Sequence, residues 1–84
     1  MIILPVGIYG AYPAPGCASA CYVVQGETAT VVLDMGSGSL SLMQKYVSPA
    51  KVDAFILSHL HYDHFTDALP LAYYPGMHVI YCPP

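Results

Sequence analysis

The chain has 84 residues, room for one small domain spanning 1–84. It is 56% hydrophobic and only 8% charged, which excludes disorder, since a disordered chain needs low hydrophobicity and high charge. Two Lys, no Arg and five acidic side chains give a formal charge of -3, which excludes direct nucleic-acid binding by this chain, because neutralising phosphates takes clustered cations.

Ile2–Ile8 reads as a strand rich in β-branched residues. No charged residue precedes Glu27, and Ala18-Ser19-Ala20 imitates a signal-peptide cleavage site. Yet no Lys or Arg precedes the apolar run. Pro5, Gly7, Gly10, Pro13, Pro15 and Gly16 interrupt it well short of the ~20 residues a spanning helix needs. A cytoplasmic chain without a membrane segment is the expectation. Tyr9–Gly16 reads as a Pro/Gly loop. Ala20–Gln25 reads as a second strand, Gly26-Glu27 as a hairpin turn, and Thr28–Asp34 as a third strand antiparallel to the second. Cys17, Cys21 and Cys82 cannot all pair, and no CxxC is present, so reduced thiols are expected.

Met35-Gly36-Ser37-Gly38 breaks the third strand. Ser37 or Ser39 is placed to cap a short helix running to Val47, with Leu40, Met43 and Val47 as its apolar stripe and Pro49 as its stop. Asp53–Ser58 contains Ala-Phe-Ile-Leu, a continuous apolar run typical of a strand covered on both faces. A short helix is expected from about His64 to Leu69, stopped by Pro70, and a last strand over Met77–Tyr81, ended by Pro83-Pro84. The order predicts an α/β chain with a mixed sheet, its last strand left uncovered. With so few charges, much apolar surface would stay exposed, which predicts either a larger parent molecule or self-association.

The stretch Ser58-His59-Leu60-His61-Tyr62-Asp63-His64 carries the chemistry. Three of the four histidines lie within it. Residues two apart share a side only on an extended backbone, so His59, His61 and Asp63 converge only if the chain is extended or looped here. His64 joins them if the chain then turns into a short helix. The spacing suggests two neighbouring ligand pairs, His59 with His61 and Asp63 with His64. Imidazole and carboxylate suit zinc, with iron or manganese as alternatives. A helical HExxH site is excluded, since neither its spacing nor its Glu is present.

This segment resembles the H-x-H-x-D-H signature of the metallo-β-lactamase superfamily. Val32-Leu33-Asp34-Met35-Gly36-Ser37-Gly38 resembles that superfamily's early Leu-Asp-x-Gly turn. The opening strand, loop and hairpin resemble the N-terminal part of its ribonuclease Z-like branch. The resemblance implies the N-terminal part of an αββα sandwich holding one or two metal ions. It assigns His59 and His61 to a first metal, Asp63 and His64 to a second, and Asp34 to bracing the ligand loop. Many members carry a glycine where this chain has Asp67, which reads as a solvated helix residue. The later His and Asp ligands of the family pattern are not in this chain, and His78 reads as an ordinary strand residue.

The function so implied is a metal-dependent hydrolase, present as an N-terminal fragment. A metal-activated water would attack an ester or phosphodiester, with Asp63 orienting that water or taking its proton. The substrate in the complete protein would be a small molecule or a phosphodiester. Two ligands per metal bind weakly, so the partner expected is either the missing C-terminal half or a second copy in a homo-oligomer. The alternative is a non-catalytic metal-binding or self-associating remnant with an incomplete site.

Overall fold

The computed structural model describes residues 1–10, 12 and 14–83. Ala11 and Pro13, both within the loop expected over 9–16, and Pro84 lie outside the described residues.

Five strands form one sheet in chain order. These are β1 (Ile2–Gly7), β2 (Cys21–Gln25), β3 (Thr30–Leu33), β4 (Ala54–Ile56) and β5 (Ile80–Tyr81). β1, β2 and β3 pair antiparallel, whereas β3, β4 and β5 pair parallel. The sheet is therefore mixed, as the residue pattern implied. The parallel half needs crossovers, which supply the helices α1 (Ser39–Met43), α2 (Tyr62–Phe65) and α3 (Ala68–Leu71). A 3₁₀ turn at Pro49–Lys51 leads into β4.

The alternation of side chains sorts the sheet into two faces. Cys21, Val23, Val32 and Phe55 share one face and are completely buried. Met43 of α1 and Leu71 of α3 close over them, with Met35, Val52 and Leu57 completing the core. The strand register puts Ile3, Tyr22, Val24, Val31, Leu33, Ile56 and Tyr81 on the other face. That face is apolar too, and Leu33, Ile56 and Tyr81 are exposed.

The helices depart from the pattern-based reading in instructive ways. α1 ends at Met43, not Val47, but tight turns through Lys45, Tyr46 and Val47 continue it, so Leu40, Met43 and Val47 still reach the core. Neither Ser37 nor Ser39 caps it. Gly38 takes the N-cap position with φ 84°, a left-handed value that costs a residue without Cβ little. The cap is supplied from 27 residues away, where Asp67 Oδ2 accepts from the Leu40 N–H at 2.8 Å. Asp67 is thus a structural carboxylate, not a solvated one. Pro49 starts the 3₁₀ turn rather than stopping α1. Pro70 sits inside α3, in the first turn, where a missing N–H costs no helical bond. His78 falls outside β5. Its Nε2 lies 3.1 Å from the Tyr74 carbonyl, and its ring meets Phe55 and Tyr74. Among the described residues, no helix is long and apolar enough to cross a membrane.

Candidate metal centre

The site lies where β3 and β4 end on the same edge of the sheet. Asp34 follows β3, and its N–H continues the ladder by donating to the Ile56 carbonyl at 2.8 Å. It then turns the chain with φ 63°, a conformation that Asp tolerates better than most residues. The turn aims a buried carboxylate at the start of the loop that follows β4. Gly36 lets this turn press onto its surroundings. A Cβ there would run into the Asp63 carbonyl and come within 2.6 Å of Ser19. Two further backbone bonds tie the turn to the motif and to the residue just before α3, Met35 N–H to the His64 carbonyl at 2.8 Å and Asp67 N–H to the Met35 carbonyl at 2.9 Å.

Five residues separate the end of β4 from the start of α2, with a bend at Ser58. His61 occupies the N-cap position of α2 with φ -74° and ψ 139°, and Asp63 lies in the first turn. This stretch followed by the turn into α2 brings the motif's side chains together. The His59 ring lies 4.1 Å from that of His64 and 4.7 Å from that of His61, centroid to centroid. Asp63 Oδ2 faces His64 Nε2 at 3.6 Å. All four expected ligands therefore stand at one sheet edge, and the two expected pairs adjoin through His59 and His64. Among the described residues, no group of three or more His, Cys, Asp or Glu side chains forms a ready-made metal cage.

Asp34 is the brace. Its Oδ1 accepts from the Ser58 N–H at 2.7 Å, both its oxygens lie 2.9 Å from Ser58 Oγ, and its Oδ2 lies 3.0 Å from His64 Nδ1. Burial alone would raise this carboxyl. The Ser58 N–H, the His64 ring and the Ser58 hydroxyl outweigh that and hold it below the usual carboxylate range. Ser58 Oγ also lies 2.9 Å from His59 Nδ1. The residue reading missed Ser58 as part of the site. Its position between the apolar strand and the first histidine was the available signal.

The His64–Asp63 pair fits a metal ion on chemical grounds. An anchored Nδ1 leaves Nε2 of His64 pointing away from Asp34 and toward the Asp63 carboxylate. In the neutral ring this sets a lone pair against an anionic oxygen, and a cation between them would satisfy both. The 3.6 Å gap is close to the ~3.4 Å that separates two ligands of one tetrahedral ion with bonds near 2.1 Å.

The sequence model of the metallo-beta-lactamase superfamily matches residues 14–84. The chain is 38% identical over 73 residues to the probable metallo-hydrolase YhfI of Bacillus subtilis, a match covering 87% of this chain and 30% of that protein. The crystal structure of YhfI, described as a metallo-beta-lactamase fold protein, superposes with a TM-score of 0.88 at 36% identity, covering 95% of this chain and 35% of the other. The short form of human tRNase Z superposes with a TM-score of 0.70 at 26% identity, covering 76% of this chain and 25% of the other. The chain thus spans about a third or less of the length of these relatives. Its sheet and helices correspond to the N-terminal part of their fold, and the chain belongs to the metallo-β-lactamase superfamily, whose members generally bind metal ions.

Proposed function

We propose that the chain is the N-terminal, metal-binding part of a metal-dependent hydrolase acting on an ester or phosphodiester bond. The observation that carries this reading is the facing of His64 Nε2 and Asp63 Oδ2 at 3.6 Å beside the rings of His59 and His61. His59 and His61 would hold one ion, Asp63 and His64 a second. Zinc is the metal proposed, since imidazole and carboxylate donors suit it, with iron or manganese as alternatives. A bound metal of this kind supplies a water acidic enough to lose its proton near neutral pH. Asp63, half-buried in the first turn of α2, would orient that water or accept its proton. Asp34 and Ser58 hold the imidazoles in place.

The likeness to human tRNase Z, short form, supports a phosphodiester substrate. With only two lysines in this chain, contacts to a polyanion would come from elsewhere in a longer protein. The apolar open face of the sheet supports further protein packing there, either the remainder of such a protein or a second copy. A non-catalytic, self-associating remnant is the second reading, and that same exposed face is what favours it.

Native mass spectrometry of the chain purified without chelator tests the reading, since it reports subunit number and bound metal together. Zinc held weakly by the parent chain, with two ligands per ion, and lost in His59→Ala and His61→Ala, is the expected result. Retention unchanged in both variants would overturn the ligand assignment.

A further inference from the structure

Ser58 sits between a buried carboxylate and a ring nitrogen, and proton counting dictates how the three connect. Its Oγ lies 2.9 Å from both oxygens of Asp34 and 2.9 Å from His59 Nδ1. A hydroxyl has one proton to give. An ionised carboxylate can only accept, so that proton goes to Asp34. The hydroxyl oxygen is then an acceptor toward His59, and Nδ1 must carry the hydrogen. The reverse arrangement would leave the hydroxyl oxygen 2.9 Å from two anionic oxygens with no proton between them. His64 meets the same carboxylate directly, since its Nδ1 lies 3.0 Å from Asp34 Oδ2 and must donate as well.

We infer that Ser58 is a positioning residue that extends the reach of Asp34 to His59, so that one buried carboxylate sets the tautomer of two imidazoles at once. Both rings then carry hydrogen on Nδ1 and present a bare Nε2. This rests on the reading of His59 and His64 as ligands only for its purpose; the tautomers themselves belong to the metal-free chain. Asp34 alone cannot do this. One of its oxygens is engaged by the His64 ring, and the hydroxyl of Ser58 is the group that stands between the carboxylate and the second ring. The relay starts at a buried carboxylate and ends on a half-buried ring, with an exposed serine between them.

The test is the imidazole nitrogen spectrum of the ¹⁵N-labelled chain, with chelator present, at a pH where the rings are neutral. His59 and His64 should both appear as the Nδ1–H form. In Ser58→Ala, His59 should move toward the Nε2–H form that free imidazole side chains favour, while His64 keeps its signature. Ser58→Thr, which restores a hydroxyl, should restore the His59 signature. An Nε2–H His59 in the parent chain, or a His59 signature unchanged in Ser58→Ala, would overturn the inference. The parent spectrum alone decides whether the relay exists, even if Ser58→Ala fails to fold. Titration of zinc into the same samples is a separate readout. Ser58→Ala should bind about 10-fold more weakly than the parent chain, and Ser58→Thr should bind normally. Nδ1–H rings with no zinc bound by any sample would leave the relay standing and sink the metal reading.

Discussion

The two faces of the sheet are built from the same kinds of residue and fare differently. Val23, Val32 and Phe55 are fully buried beneath α1 and α3. Their neighbours one step along the same strands, Leu33 and Ile56, are 38% and 39% exposed. Strand alternation cannot tell these faces apart, because both are apolar. The continuous Ala-Phe-Ile-Leu run anticipates burial on two sides, and among the described residues only one side receives a cover. The site stands at the edge between them, anchored from the covered side by Asp34 and its hydrogen bonds.

Substitutions that act on one face at a time sharpen this contrast. The largest effect is expected from Phe55→Ala, which should cost about 3–5 kcal/mol in chemical denaturation. That is a large part of the whole stability of a domain this size, usually about 5–15 kcal/mol. A cost under about 1 kcal/mol would mean that the covered face is not a packed core. Next comes the lid itself. Asp67→Ala removes the carboxylate that caps α1 across the chain and should cost about 1 kcal/mol. Asp67→Asn, which keeps an acceptor oxygen, should recover much of it.

Cys21 gives the covered face a chemical signature. Desolvation by burial pushes its thiol up from 9.0 to about 12, opposed in part by the Ser39 hydroxyl and assisted by the charges of Asp34 and Asp67. Its folded value therefore lies above its unfolded one. Between pH 9 and 12 the unfolded chain has lost a proton that the folded chain keeps, so stability should fall as pH rises through that window and be unaffected by this group below it. Denaturation midpoints should decline more steeply with pH in the parent chain than in Cys21→Ala. Alkylation at pH 8 should label the exposed Cys17 and Cys82 and spare Cys21. The smallest expected effect on stability is on the open face. Ile56→Thr should shift it by about 1 kcal/mol or less while reducing any concentration-dependent association seen by sedimentation. An association unchanged by that substitution would remove the open face as its cause.

Much of the site could be read directly from the chain. Alternating histidines after an apolar strand point to ligands, and the structure does gather His59, His61, Asp63 and His64 at one edge. The bracing role of Asp34 was implied by the family resemblance of its Leu-Asp-x-Gly turn, and the residues themselves equally suggested a turn-forming aspartate at a strand end. What could not be read is how the brace works. Ser58 meets Asp34 across 24 residues, His64 meets it across 30, and Asp67 reaches Leu40 across 27. Such bonds leave no periodic trace, because they depend on where two remote segments come to rest.

The strands, the hairpin, the apolar stripe of α1 and the identity of the candidate ligands were legible in the residue order. Each of these follows from spacing along the backbone, two residues for a strand and three to four for a helix turn. Which sheet face is covered, which carboxylate caps α1, and the serine link from one buried aspartate to a second ring depend on how remote segments pack. The serine link turns on the parallel pairing of β3 with β4, which sets Asp34 beside Ser58 and makes a short loop and a remote turn into one hydrogen-bonded unit.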